Sequence, residues 1–381
     1  MVKKEEDDER TRDTLWGDRD IDTPESFLKN VEHQIEDEVK EIEHEVQKIE
    51  ENLERELEEQ DVIDGSLLEL LNILGPIKDP LALVVLSTKI EEFVHEYQPE
   101  DFPRISTWGH YDLNLFSNLP YSPDNPLAKL FGKPKIKTAD GHTKNDYEVK
   151  GDIPGATSSE SPKELLVFVH GWMASEKSAL GRMSTLRYVM RKNGYEHPVV
   201  GFTWPTNQPF TEWKTAKSLG KRNGIKLAQF TYDYKKHNPN TKIRYISNSL
   251  GANPTFSAMK QFANADLSDV LESVSVMGGT VKSSKLNEGG LYHDAVEQAT
   301  DVLHNYRSNS DHTINTYYKI TEFRDAIGAK APKTPPENFN DHVVDVPDHF
   351  SFYLPERGCL DEVVWDFGWD EMMKERRIEE T

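Results

Sequence analysis

Short apolar runs alternate with helical patterns through the C-terminal two thirds of the chain. The run at 165–169 is wholly apolar, which is typical of a strand buried on both faces of a sheet. Further strands are predicted at 198–203, 242–246, 273–277, 302–307 and 342–346, with helices at 176–193, 212–236 and 250–263. Strands and helices alternating at this spacing indicate βαβ units, so we predict an α/β fold with a mostly parallel sheet flanked by helices. Shorter β-like runs precede them at 104–107, 134–137 and 147–150.

The pattern before residue 103 predicts three further segments. Residues 1–24 are charged and poor in apolar side chains, which predicts a disordered acidic tail. Residues 25–61 carry apolar side chains every three or four positions, which predicts one long amphipathic helix. Residues 62–102 contain two apolar runs separated by Gly75 and Pro76, which predicts an apolar helical hairpin. We expect residues 103–381 to form the α/β domain.

The long helix at 25–61 has two interpretations. Its apolar positions are Leu28, Val31, Ile35, Val39, Ile42, Val46, Ile49, Leu53 and Leu57. The spacing alternates between three and four from Val39 to Leu53, with a stutter between Ile35 and Val39, and the intervening residues are almost all polar, which favours a coiled coil and a homo-oligomer. The alternative is an amphipathic helix that lies on its own domain.

The hairpin also leaves two roles open. Packing against the coil or the domain is one, and shallow peripheral membrane contact through 65–90 is the other. Asn72, Lys78 and Asp79 argue against a membrane-spanning role.

Charge and composition narrow the function classes. The chain of 381 residues has a formal charge of −22, and residues 1–61 hold 24 acidic and 9 basic side chains, a net −15. This balance argues against nucleic-acid binding and against electrostatic docking onto anionic lipid. The single cysteine, Cys359, excludes an internal disulfide framework and a multi-cysteine metal site. Without a secretory leader or an uninterrupted apolar stretch of ~18 residues, a cytoplasmic protein is expected.

A candidate nucleophile follows the third long strand. The segment from Ser247 to Gly251 reads Ser-Asn-Ser-Leu-Gly and resembles the nucleophile elbow G-x-S-x-G of the α/β-hydrolase superfamily, in which a sharp strand-to-helix turn exposes a serine. Ser249 would be that nucleophile, and Gly251 matches the last glycine. Ser247 departs from the pattern, since it replaces the first glycine.

The end of the strand at 165–169 adds to this resemblance. His170, Gly171 and Trp172 match the H-G-x segment that supplies an oxyanion donor in the superfamily. By resemblance the donors are the main-chain N–H groups of Trp172 and Leu250, and His170 supports the loop without acting as the base.

The resemblance also implies an acid and a base, in the order serine, acid, histidine. Asp311 lies in the loop after the strand at 302–307 and matches the family acid, whereas Asp301 and Asp325 are weaker candidates because one precedes that strand and the other lies in a helical pattern. His349 follows the last strand, where the family's base belongs. His342 is expected to begin that strand and to lie at the wrong end of the sheet.

Over about 104–375 the chain therefore resembles the lipase/esterase branch of the superfamily, and within it archaeal-type serine hydrolases of undefined substrate. The resemblance implies hydrolysis of a carboxylic ester through an acyl-enzyme, without a metal or cofactor. A thioesterase or amidase with the same triad is an alternative. So is a non-catalytic scaffold acting through its coil, because Ser247 and Asn248 depart from the family pattern.

Aromatic residues give the only indication of substrate. Those that follow the first two buried strands either line an apolar pocket, which would favour an acyl or lipid ester, or pack beneath a loop. Together with one methionine and one proline near them in sequence, these aromatic residues are Trp172, Met173, Trp204, Pro205, Phe210 and Trp213.

Overall fold

The computed structural model describes residues 102–108, 147–208, 212–322 and 324–379. The strands are β1 (Arg104–Ser106), β2 (Glu148–Lys150), β3 (Glu164–Val169), β4 (Val199–Thr203), β5 (Lys242–Asn248), β6 (Ser273–Met277), β7 (Leu303–Arg307) and β8 (Phe339–Val343). The helices are α1 (Glu176–Lys192), α2 (Trp213–His237), α3 (Ala252–Asn264), α4 (His293–Ala299), α5 (Lys319–Glu322) and α6 (Leu360–Glu379).

These strands form one sheet in the order β2-β1-β4-β3-β5-β6-β7-β8. Only β1 and β2 pair antiparallel, and every other neighbouring pair is parallel. The predicted α/β fold with a mostly parallel sheet is therefore confirmed. The sheet grows in opposite directions from β3. In open α/β sheets ligands bind outside the carboxyl ends of the strands at such a reversal, here those of β3 and β5.

The strand β3 shows why the sheet needs helices on both faces. All its residues are buried, and Val167 belongs to the apolar core beneath α2 and α3, whereas Phe168 belongs to the core beneath α1 and α6. Successive side chains point to opposite faces of a strand, so a wholly apolar run must be covered on both sides. Among the described helices, none combines the length and apolar character needed to cross a membrane.

The structure corrects two details of the prediction. The last strand is β8, which begins at Phe339, so His342 lies near its carboxyl end and does not begin it. The apolar residues that suggested a later strand, Val344 and Val346, are buried just beyond it. Asp325 lies in the irregular segment after α5 and not in a helix, because the helix ends at Glu322.

Several predictions fall on residues outside the described ranges. They are the tail at 1–24, the helix at 25–61 with its homo-oligomer, the hairpin at 62–102 apart from Phe102, the membrane contact at 65–90 and the β-like run at 134–137. All of these stay predictions.

Candidate active site

Ser249 lies in a sharp turn between β5 and α3. It begins a single 3-10 turn, Ser249–Gly251, and its φ of 53° lies in the left-handed region that side chains rarely adopt. Its carbonyl oxygen accepts hydrogen bonds from the backbone N–H of Thr280 at 3.1 Å and from the Thr280 hydroxyl at 3.3 Å. The loop after β6 therefore holds the strained turn in place.

Two glycines allow the surrounding backbone to approach this turn. A Cβ on Gly251 would lie 2.2 Å from the carbonyl oxygen of Val169 at the end of β3. A Cβ on Gly171 would lie 3.0 Å from the Cβ of Ser249. Both motifs therefore need glycine for the same physical reason: the backbones of β3, the loop after it and the elbow pack with little space between them.

His349 follows β8 and reaches the serine. Its Nε2 lies 2.6 Å from the Ser249 Oγ. The Asp348 carboxylate fixes the local turn, since Oδ1 accepts from the N–H of Phe350 at 2.9 Å and Oδ2 accepts from the hydroxyl of Ser351 at 2.8 Å. The ring of Phe350 meets the imidazole edge-on, with centroids 5.3 Å apart. The imidazole is thus held by backbone geometry and by packing.

Asp311 lies in the loop after β7, on the far side of His349 from the serine. Its Oδ2 lies 2.7 Å from Nδ1 of His349, and its Oδ1 accepts from the N–H of Ile314 at 2.9 Å. The hydroxyl of Ser308 donates to the carbonyl oxygen of Val346, which joins the loop carrying Asp311 to the segment carrying His349.

The three side chains form one chain of hydrogen bonds that is nearly closed to water. Asp311 is 0% exposed, His349 4% and Ser249 9%. With the Nδ1 proton of His349 donated to the carboxylate, the unprotonated Nε2 accepts the serine proton. This arrangement can activate a hydroxyl as a nucleophile and stabilise the imidazolium that results.

His170 takes a different position, at the end of β3. It is fully buried, and its Nε2 accepts from the N–H of Trp204 at 3.3 Å, while its Nδ1 lies 2.9 Å from the carbonyl oxygen of Gly171. Burial lowers the pKa of His170 to about 3, with the cation of Arg182 acting in the same direction, although the bond to Gly171 opposes it. The imidazole therefore stays neutral and donates through Nδ1.

This bond orients the peptide unit that contains the N–H of Trp172. In a trans peptide the C=O and the following N–H point in opposite directions, so fixing the Gly171 oxygen also fixes the direction of the Trp172 N–H. The Trp172 carbonyl is held in turn by Arg182, whose Nη1 donates to it at 3.0 Å. Leu250, the other predicted donor, is the second residue of the 3-10 turn.

The remaining candidates from the sequence have other partners. Asp301 precedes β7, and its N–H bonds the carbonyl oxygen of Leu271. Asp325 forms ion pairs with Lys319 at 3.2 Å and with Lys330 at 3.9 Å. His342, although near the carboxyl end of β8, hydrogen-bonds His304 and does not meet the serine.

Aromatic side chains lie on the Trp172 side of the site. The ring of Trp172 lies 4.9 Å from that of Trp213, which meets Tyr318 edge-on at 5.8 Å. Trp204 does not belong to this group, because it is fully buried and stacks on His170. Phe210, also in the predicted aromatic set, lies outside the described residues.

A cluster of charges beside Trp213 was not predicted from the sequence. The Trp213 indole N–H donates to Glu322 at 2.7 Å, and the same carboxylate pairs with Lys217 and with Lys282. Burial alone would raise the pKa of Glu322, but hydrogen bonds and charge attraction from Lys217, with Lys282 and Trp213, lower it to about 2. The cluster joins α2 to α5, elements far apart in sequence, so no local pattern indicates it.

Comparison with known proteins gives a family and a set of structural relatives. A family model described as "Alpha/beta hydrolase of unknown function (DUF900)" matches residues 147–340. A search of curated protein sequences found no match. Similar solved structures include a lipase-esterase related protein from Clostridium acetobutylicum, with 14% identity, a TM-score of 0.32, and coverage of 54% of this chain and 95% of that one. Est1E from Butyrivibrio proteoclasticus has 13% identity, a TM-score of 0.33, and coverage of 58% and 93%. A cutinase from Trichoderma reesei has 13% identity, a TM-score of 0.24, and coverage of 56% and 73%.

Proposed function

The chain belongs to the family of α/β hydrolases of unknown function (DUF900), and we propose that it is a serine hydrolase that cleaves carboxylic esters. The observation that carries this proposal is the continuous hydrogen-bonded chain from Ser249 through His349 to Asp311, with distances of 2.6 and 2.7 Å. These side chains follow three different strands of one mostly parallel sheet, each beyond its carboxyl end.

In the proposed reaction, Ser249 Oγ attacks the ester carbonyl carbon while Nε2 of His349 takes the hydroxyl proton. The imidazolium is stabilised by Asp311, and it returns the proton to the alcohol as the C–O bond of the ester breaks. A water molecule then attacks the acyl-enzyme with His349 again as the base. The products are a carboxylic acid and an alcohol, and Ser249 is regenerated.

The negative charge on the carbonyl oxygen would be stabilised by the main-chain N–H groups of Trp172 and Leu250. Support comes from the His170 bond that fixes the Gly171–Trp172 peptide plane and from Leu250 in the first turn after the nucleophile. Donors held in place before the reaction need no reorganisation as charge develops.

We assign the acyl part of the ester to an apolar group of alkyl or lipid type. The ring of Trp172 supports this assignment, because it is only half-buried and belongs to the residue that supplies a proposed oxyanion donor. The rings of Trp213 and Tyr318 are buried and support the ring of Trp172 by packing. A thioester or amide would use the same triad, and only substrate tests separate these possibilities.

Fluorophosphonate labelling of the full chain tests the nucleophile. Wild type should be labelled at Ser249, and Ser249→Ala should lose both the label and turnover of p-nitrophenyl esters. Ser247→Ala is the matched control, because Ser247 is a buried serine of the same segment that has no hydrogen bond to His349. A chain-length series of esters, with matched thioesters and anilides, identifies the acyl preference and the bond cleaved.

The outcomes separate the alternatives. An unlabelled wild type without turnover of any substrate would support the scaffold acting through its coil. Equal turnover in Ser249→Ala would show that another residue is the nucleophile. Higher kcat/KM on thioesters or anilides than on esters would keep the triad and replace the ester assignment.

A further inference from the structure

A second group of side chains that can bind a metal, His304, His342 and Asp366, lies between β7, β8 and α6. The Nδ1 of His304 is 2.9 Å from Nε2 of His342, and Oδ2 of Asp366 is 3.9 Å from the first atom and 3.7 Å from the second. We propose that His304, His342 and Asp366 bind one divalent transition-metal ion, with Zn²⁺ the best match.

The separations fit a zinc ion with few adjustments. Zinc binds imidazole nitrogen and carboxylate oxygen at about 2.0–2.1 Å in a tetrahedral arrangement, which places neighbouring ligand atoms about 3.3 Å apart. The observed separations of 2.9, 3.7 and 3.9 Å lie on either side of this value. Movements of about half an ångström would make them equal, and these lie within ordinary side-chain freedom.

The donor set selects the kind of metal. Two imidazole nitrogens and one carboxylate oxygen suit Zn²⁺ and its first-row neighbours, whereas Mg²⁺ and Ca²⁺ prefer oxygen ligands alone. The described residues within the cluster supply three ligands, which leaves a fourth position for water. His304 is buried, but the side chains of His342 and Asp366 are 25% and 16% exposed, so solvent can reach the position between them.

Metal binding would replace the hydrogen bond between the two imidazoles. In the metal-free pair one proton lies between Nδ1 of His304 and Nε2 of His342. Coordination requires a lone pair on both atoms, so the donating ring must carry its proton on its other nitrogen. This is a change of tautomer that needs no oxidant and no net proton release when both rings start neutral.

Tyr306 provides the surrounding support that metal ligands commonly have. Its hydroxyl donates to Oδ2 of Asp366 at 2.6 Å, which orients the carboxylate as outer hydrogen bonds do at metal sites. Tyr306 also pairs in register with His342, and their rings stack with centroids 4.7 Å apart. One strand pairing thus positions a ligand and the residue that orients another.

The position in the fold indicates a structural role. The ion would join two neighbouring strands at the edge of the sheet to the C-terminal helix α6, whereas Ser249 follows a different strand nearer the centre. The proposal is therefore independent of the ester-hydrolase assignment. The competing explanation is a metal-free network in which the tyrosine bonds the aspartate and the two histidines bond each other.

A second histidine and acid group supplies a control. His293, Asp294 and Glu297 also lie close enough to share an ion. The side chains of Asp294 and Glu297 are 92% and 37% exposed, and the group lies at the start of the short helix α4. We propose no ion there, and His293→Gln removes a histidine with acidic neighbours without changing His304, His342 or Asp366.

Metal titration of the chelator-treated full chain tests the proposal. Wild type should bind one equivalent of Zn²⁺ with micromolar or tighter affinity in competition with a chromophoric chelator. Its Co²⁺ form should show the intense visible absorption of a four-coordinate site, and Zn²⁺ should raise Tm by about 3 °C or more. His342→Gln and Asp366→Asn should weaken Zn²⁺ at least about 10-fold, whereas His293→Gln should retain it.

The metal-free network would be favoured, and the proposal overturned, if wild type takes up no Zn²⁺ at micromolar concentration. Unchanged affinity in both His342→Gln and Asp366→Asn would overturn it as well. If these variants fail to fold, pulsed electron paramagnetic resonance of Cu²⁺-loaded wild type decides: coupling to two imidazoles supports the site, and its absence overturns it.

Discussion

Replacing Gly251 with alanine tests whether close packing behind the nucleophile determines activity. The added Cβ would lie 2.2 Å from the carbonyl oxygen of Val169 and 2.8 Å from that of His170. Both oxygens belong to the backbone at the end of β3, so no side-chain rotation relieves the overlap. The turn after β5 and the loop after β3 must move apart.

The size of that movement gives the expected effect. Ordinary contact begins near 3.4 Å, so the overlap with the Val169 oxygen requires a displacement of about 1 Å. A misplacement of this size in catalytic geometry costs about 10²-fold, and overpacking of a buried site destabilises by about 1–3 kcal/mol. We therefore expect kcat/KM on a p-nitrophenyl ester to fall about 10²-fold and Tm to fall by about 2–10 °C.

Gly368→Ala is the matched control. A Cβ at Gly368, within α6, meets no atom within 4 Å. Alanine is favoured over glycine in a helix by about 0.5–1 kcal/mol, so this variant should retain activity and melt at the same or a higher temperature. The packing argument is refuted if Gly251→Ala keeps its kcat/KM within about two-fold and melts with wild type.

Three further changes test other parts of the molecule. Asp311→Asn should lower kcat about 10⁴-fold with an unchanged circular-dichroism spectrum, because the amide cannot stabilise the imidazolium; a loss below about ten-fold contradicts the assigned acid. Ser247→Ala should raise the free energy of unfolding by up to about 1 kcal/mol in urea, since the buried Oγ of Ser247 has no hydrogen-bond partner among the described residues; a fall of more than about 1 kcal/mol would reveal an unrecognised partner. Burial and the nearby cations of Lys221 and other lysines lower the pKa of Lys285 to about 8. The rate of Lys285 acetylation, followed by peptide mass mapping, should therefore reach half of its maximum near pH 8. A midpoint near the pKa of exposed lysines, about 10.4, disproves the shift.

The core strands could be predicted because they are short runs rich in apolar residues that stand between helical patterns, wholly apolar at 165–169 and alternating with serine at 273–277. β6 begins and ends as predicted at 273–277, and β3 differs by one residue. Once the strands are predicted, the positions of the candidate triad follow, because residues beyond the carboxyl ends of parallel strands meet at one edge of the sheet. The catalytic roles of these side chains stay a proposal.

The edge of the sheet could not be predicted in the same way. β8 is exposed at most positions and carries Asn, Asp and His, so its sequence lacks the apolar signal, which comes instead from Val344 and Val346 beyond it. The pattern therefore predicts the strand three residues too late and places His342 at its start, although this residue lies near its carboxyl end. The group of His304, His342 and Asp366 depends on this register and on a helix that begins at Leu360, so separate sequence segments give no sign of it.

The strained turn at Ser249 explains why so much of the structure converges on one residue. A non-glycine residue in the left-handed region costs roughly 1–2 kcal/mol, and the turn has φ of 53° without a glycine at that position. The two bonds from Thr280 to the Ser249 carbonyl oxygen oppose relaxation, and close contact between Gly251 and Val169 leaves no space for it. Strain persists only where the surroundings impose it. The hydroxyl is consequently held 2.6 Å from His349 by the fold itself, so substitutions behind the turn should impair catalysis without touching any side chain of the triad.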